Sequence, residues 1–221
     1  MNIRLPFDRD AWRFVGCFAV TAILLGHVSS NLGWGGFIAT VCCLLFFRDP
    51  ERVHPSKGGV IVSPADGRIL KISEGEAPEE LGLHGQWKKV SIFMSVCDVH
   101  VNRAPIAGVV EKIIYTPGKF FNADFDKASE DNERQTTYIK TADGATVVFV
   151  QIAGLLARRI RCDISEEQAL EMGERVGIIR FGSRVDVYFP KTAEVSIEEG
   201  QQVIAGETIL AHLKTKPSKG K

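Results

Sequence analysis

The sequence predicts a mainly β domain preceded by an N-terminal hydrophobic helical hairpin. Two observations carry that reading. Residues 14–28 and 32–47 are apolar runs without a single Asp, Glu, Lys or Arg. After Arg48 the pattern changes to short alternating runs rich in Val, Ile, Phe and Thr, broken by Gly and Pro. The chain therefore divides into 1–47, a hydrophobic hairpin expected to anchor in a membrane, and 48–221, a β-rich domain.

The hairpin comes first. Each run is shorter than the ~20 residues that a full span prefers, and Ser29, Ser30 and Asn31 leave room only for a polar turn between them. Arg4, Arg9 and Arg13 precede the pair and Arg48 and Arg52 follow it, which by the positive-inside tendency puts both ends, and the domain beyond, on the cytoplasmic side of the cell membrane. Trp12 and Trp34 suit interfacial depth. A cleaved signal peptide is the competing reading, and the second apolar run weighs against it.

In the remainder, strands are expected at 60–62, 68–73, 89–96, 109–115, 137–141, 146–152, 184–189, 193–197 and 208–212. Residues 118–134 show no steady period and read as a long functional loop. A faint repeat, Leu170-x-x-Gly173-Glu174-x-Val176 and Val203-x-x-Gly206-Glu207-x-Ile209, is of the kind that joins strands in barrel-sandwich folds such as lipoyl and biotinyl domains. The lysine hairpin of those carriers is missing, so the architecture is expected without the carrier role.

Composition narrows the function. Lys plus Arg total 27 and Asp plus Glu total 27; the balance argues against a nucleic-acid partner. The five cysteines form no C-x-x-C pair, and the histidines lack ligand spacing. No metal is expected, and the thiols suit a reducing compartment.

Four local signals could carry chemistry. Gly182-Ser183 opens an alternating strand, and glycine there would let the Ser183 hydroxyl approach the Gly182 carbonyl. Asp66-Gly67 is an ordinary hairpin signal. Asp98 and His100 would share a face if the strand before them continued. Asn132-Glu133-Arg134 alone is a solvated charge cluster.

Together the signals resemble phosphatidylserine decarboxylases of the short bacterial and archaeal form. The resemblance runs from about Phe46 to Leu213 through FFRDPER (46–52), SPADGR (63–68), DVHVNRAP (98–105), NER (132–134) and FGSR (181–184). It implies a zymogen that cleaves itself between Gly182 and Ser183. Ser183 attacks Gly182, the ester undergoes β-elimination, and the new N-terminus becomes a covalent pyruvoyl cofactor. The resulting chains, 1–182 and 183–221, stay associated. The pyruvoyl ketone then forms a Schiff base with phosphatidylserine and acts as electron sink, giving phosphatidylethanolamine and carbon dioxide.

Under this resemblance His100 is the base and the later proton donor, and Asp66 orients its imidazole, with Asp98 as a competing partner. Longer relatives carry two histidines three apart before the proline. Here Arg103 takes the second place, so His100 is expected to serve both steps. Arg134 or Lys119 is expected to bind the lipid phosphate or carboxylate, and Phe120, Phe121 and Phe125 to dip into the interface or clasp the core. A homodimer of cleaved protomers is expected from the resemblance alone. The rivals are a membrane-tethered barrel-sandwich adaptor without catalysis, and a pyruvoyl decarboxylase of another serine-headgroup lipid, such as an ether lipid.

Overall fold

The computed structural model describes residues 6–77, 81–118, 132–154, 159–180 and 183–214. Two helices open it, α1 (Ala11–Val28) and α2 (Ser30–Phe46). Fourteen strands follow: β1 (Val60–Val62), β2 (Gly67–Glu76), β3 (Gln86–Met94), β4 (Val101–Arg103), β5 (Gly108–Thr116), β6 (Arg134–Lys140), β7 (Thr146–Ala153), β8 (Ile160–Cys162), β9 (Ala169–Leu170), β10 (Arg175–Ile179), β11 (Ser183–Pro190), β12 (Glu194–Val195), β13 (Gln202–Val203) and β14 (Ile209–His212).

The helical pair is tighter than the sequence suggests. Ser29 alone is extended, with φ −158° and ψ 137°, and α2 starts at the next residue. The helices can touch because small residues meet at their crossing. A Cβ on Gly36 would lie 2.7 Å from the Cβ of Ala22, so a larger residue would push the backbones apart. α1 has 18 residues and is the one described helix long and apolar enough to cross a membrane. The pair exposes Trp12, Ile23, Leu24, Trp34, Phe37 and Ile38 on its surface.

An antiparallel eight-stranded sheet, in the order β13-β2-β3-β11-β7-β6-β5-β9, curls around the main core. Its inward face carries Ile69, Ile92, Val185, Val187 and Phe149. Two three-stranded sheets, β1-β14-β12 and β4-β10-β8, complete this barrel-sandwich-like body. The strand β11, read from its alternation, runs through the middle of the large sheet, paired with β3 on one side and β7 on the other.

The sequence repeat is a repeat in space. Gly173 and Gly206 both adopt positive φ, 77° and 76°. The Gly173 N–H donates to Ala104 O (2.8 Å) and the Gly206 N–H to Ser63 O (2.7 Å). The ring of His54 lies against both glycines and bonds through Nδ1 to Gly206 O (3.1 Å). A side chain at either position would meet that ring. The two turns thus hold the SPADGR and NRAP segments in matching fashion.

The hairpin is bolted to the domain at its base. Phe46, Phe47, Cys43 and Ala11 pack with Val99, Val101 and Ile178 of the β4-β10 side. Around this patch Arg161 binds Asp8, Asp10 and Asp163, while Arg180 binds Asp10 (2.7 Å). The hairpin is therefore fixed to β8 and to the end of β10, only a few residues before Ser183.

Candidate active site

Ser183 is the first residue of β11, with Met94 and Ala153 as its neighbours across the two ladders. It is fully buried. Its Oγ donates to Met94 Sδ at 3.2 Å, a weak acceptor and no base. Phe181 and Gly182 lie outside the described residues, as do Lys119, Phe120, Phe121 and Phe125.

His100 stands in the connection between β3 and β4. β3 ends at Met94, so the strand does not continue to Asp98 and the two residues do not share a strand face. The reason is a turn: the Asp98 carboxylate accepts the Ser95 N–H (2.8 Å), and the Asp98 N–H donates back to Ser95 O (2.9 Å). The imidazole is fully buried, with its ring centroid 4.2 Å from that of Phe46. Its Nδ1 bonds to the Asp98 carbonyl at 3.0 Å. A carbonyl only accepts, so Nδ1 carries the hydrogen and Nε2 is the basic nitrogen. Burial lowers its pKa to about 4, against the opposing pull of Asp98. His100 is thus neutral at physiological pH. Its own carbonyl accepts the Ile179 N–H (3.3 Å), tying it to the end of β10.

Asp66 lies elsewhere in the bonding pattern. Its Oδ1 accepts the Ala205 N–H and its Oδ2 accepts Arg52 Nη2, both at 2.8 Å. Neither oxygen bonds His100; the group that orients the imidazole is the Asp98 carbonyl. Burial holds the Asp66 carboxyl above the usual carboxylate range, with Ala205 and Arg52 pulling it down.

Asn132-Glu133-Arg134 is buried, not a solvated cluster. The Asn132 amide donates to Ala153 O (2.8 Å), the Ala153 N–H donates to Glu133 O (2.9 Å), and Glu133 Oε1 accepts the Ile160 N–H (3.1 Å). The motif fixes the strand end against which Ser183 lies. Arg134 pairs with Ile152 across the ladder, and Ile152 with Arg184. That register puts Arg134 on the opposite face of the sheet from Ser183.

Sequence reading missed a buried file of amides. Gln135 Nε2 donates to Gln151 Oε1 (3.2 Å), Gln151 Nε2 to Asn102 Oδ1 (2.8 Å), and Asn102 Nδ2 reaches Met94 Sδ (3.6 Å), the atom that Ser183 also touches. The available signal was Gln151, a polar residue on the inward face of the apolar strand VVFVQIA. Burying such amides is costly unless each is bonded, and here each is.

Arg103 is structural. It is buried, and its guanidinium donates to Asp49 Oδ1 (3.1 Å), Pro50 O (2.9 Å) and Gly173 O (3.0 Å). It clamps the RDP segment after α2 to the first repeat turn.

Comparison with known proteins bears on this arrangement. The family model for phosphatidylserine decarboxylase matches residues 39–211. The chain belongs to the phosphatidylserine decarboxylase family. Three relatives, each named phosphatidylserine decarboxylase proenzyme, align over 209 residues, or 94% of this chain. The one from Ruegeria pomeroyi is 53% identical with 95% of its length covered. That from Cereibacter sphaeroides is 51% identical with 90% covered, and that from Paramagnetospirillum magneticum 49% with 87% covered. Within this decarboxylase family framework, FFRDPER supplies Phe46, Arg52 and Asp49, and DVHVNRAP supplies His100, Asn102 and Arg103. Of these residues Phe46 packs on His100 and Asn102 reaches the Met94 sulphur that Ser183 touches, while Asp49, Arg52 and Arg103 fasten the segments behind them.

Proposed function

We propose that this chain is a phosphatidylserine decarboxylase proenzyme, which converts phosphatidylserine to phosphatidylethanolamine and carbon dioxide with a pyruvoyl group made from its own Ser183. The observation that carries the reading is the burial of Ser183 at the head of the central strand, where a neutral imidazole is anchored to the preceding strand.

Self-cleavage would proceed by attack of Ser183 Oγ on the Gly182 carbonyl carbon, which turns the peptide bond into an ester. Removal of the Ser183 α-proton then expels the Gly182 carboxylate and leaves dehydroalanine. Its imine tautomer takes up water and releases ammonia, leaving pyruvoyl at the head of chain 183–221. His100 Nε2 is the proposed base. Because Oγ rests on Met94 Sδ, it must turn away from the sulphur before the proton can move. Exclusion of water from this pocket protects the ester from simple hydrolysis.

The surroundings fit a pyruvoyl group: among the described residues Ser183 bonds no charged neighbour, and the Asn102 amide lies one contact away across Met94. That group supplies the electron sink for decarboxylation. His100 would return a proton to the substrate carbon, so it serves both steps. Asp66 supports maturation indirectly, by fixing Arg52 and the 205 turn. Lys119 remains a proposed ligand for the headgroup, with Phe120 and Phe121 as proposed contacts of the same substrate; Arg134, on the face of the sheet opposite Ser183, is no longer favoured for that place. The hairpin would hold the domain on the cytoplasmic face of the membrane, where the lipid substrate lies, and two cleaved protomers would pair.

The test is to purify wild type and Ser183→Ala and measure masses. Two fragments divided at 182/183, with the smaller blocked by pyruvoyl, and release of carbon dioxide from phosphatidylserine vesicles by wild type only, are expected. An intact, folded and inactive wild-type chain would overturn the proposal in favour of a non-catalytic adaptor.

A further inference from the structure

The hairpin base and the β3–β4 connection do not close on each other. Between them lies a cavity of about 540 Å³, within the range of roughly 300–1,000 Å³ usual for small-molecule sites. Phe18, Ala39, Leu45 and Phe46 form its helical wall, and Val96 faces them from the connection. Among the described residues Arg48 is the one charged residue lining it. Its guanidinium donates to Leu45 O and to Cys97 O, spanning the helix end and the connection.

Three features say what would occupy this space. The walls are apolar and merge with the exposed apolar surface of the hairpin, so an occupant would enter from the lipid side. The single cation among the lining residues suits the phosphate of a lipid headgroup. Most tellingly, Phe46 both lines the cavity and stacks on His100. The cavity is therefore one side chain away from the proposed base.

We infer that this cavity seats one acyl chain of the substrate phospholipid, with Arg48 at the phosphate. The inference rests on the decarboxylase reading above and adds a recognition element to it. The lipid is gripped by its tail beneath the anchor, and its headgroup is delivered past Phe46 toward His100 and Ser183. The anchor then does more than raise the local substrate concentration; it forms half of the binding site.

The experiment uses the full-length protein in detergent with two fill-in variants, Val96→Trp and Ala39→Trp, assayed on dioleoyl and dihexanoyl phosphatidylserine. Both variants should still mature into two fragments. With the long-chain substrate kcat/KM should fall about tenfold or more, and with the short-chain substrate no more than roughly threefold. Equal losses on both substrates, or no loss on either, would overturn the cavity assignment while leaving the decarboxylase reading intact. A wild type that is uncut or inactive would instead strike that reading itself. Because a tryptophan in α2 could disturb the hairpin, a second measurement needs no substitution in the cavity. Uncut Ser183→Ala protein is irradiated with phosphatidylserine bearing a mid-chain diazirine, and the labelled peptides are mapped. Labelling at residues 96–97 that excess phosphatidylserine suppresses and phosphatidylcholine does not is expected. Labelling confined to the hairpin, or suppressed equally by both lipids, marks annular lipid only and overturns the inference.

Discussion

The ring of Phe46, the last residue of α2, lies 4.2 Å from the ring of His100 at an interplanar angle of 38°. The hydrophobic hairpin thus ends directly on the imidazole. Phe46 is 5% exposed and His100 fully buried, so each shields the other from water. We predict that Phe46→Ala destabilises the fold by about 3 kcal/mol. It should also let water reach His100 and raise the imidazole pKa toward its ordinary value. Self-cleavage of this variant should then slow between pH 7 and 5, and Phe46→Leu should restore most of the wild-type profile. An unchanged pH profile in Phe46→Ala would show that the ring contact does not set the state of His100.

The sign of the wild-type pH dependence follows from the same burial. The folded His100 pKa is about 4, whereas an unfolded histidine titrates near ~6.5. Between those values the unfolded chain binds a proton that the folded chain refuses. The stability held above about pH 6.5 is lost as pH falls through this window, by roughly 3 kcal/mol in all. Asp66 acts with the opposite sign, because its raised carboxyl accepts a proton more readily in the folded state and so offsets part of the loss. Thermal melts of Ser183→Ala at pH 7 and 4.5, with and without His100→Gln, measure the difference. The second substitution should flatten the slope; equal slopes would contradict the assignment.

Arg103 offers a test by exchange. The family resemblance leads one to expect histidine at this place, yet here the side chain is committed to Asp49, Pro50 and Gly173. We predict that Arg103→His lowers stability by about 3 kcal/mol, because it leaves buried acceptors unmatched beside Asp49. The variant should gain no activity. A variant as stable and more active than wild type would show that the position retains a catalytic place.

The cut should not release the small chain. Chain 183–221 would contain β11, β13 and β14, which join three partner strands of the large chain in the big sheet and one in a small sheet. The two fragments should co-elute in mild detergent and separate only in denaturant. Early separation would be inconsistent with β11 as an interior strand.

Much of this was legible in the sequence, for local reasons. β1 matches its predicted bounds, and the alternation of 184–189 marks β11, because its core face carries Val185, Val187 and Phe189 while its other, also buried, face carries Arg184, Asp186 and Tyr188. The five strands that went unread, β4, β8, β9, β10 and β13, have two to five residues each. Runs that short carry little period, and β10 is further broken by Gly177 at φ 151°. Ser183 and His100 were singled out by the order of the motifs around them, not by either residue type alone, and what the fold adds is their complete burial. The partners of Asp66 were not legible. Arg52 and Ala205 lie 14 and 139 positions away, and only the fold decides which long-range donor a carboxylate meets. The same holds for Asn102 and Gln151, 49 positions apart.

The place of Ser183 between Met94 and Ala153 has a consequence for quality control. Residues from three distant parts of the chain must already be aligned before the serine reaches its buried setting. A misfolded copy would never arm itself, and so would never carry a reactive ketone into the cell. Folding would act as the licence for catalysis, checked once in each molecule by an irreversible step.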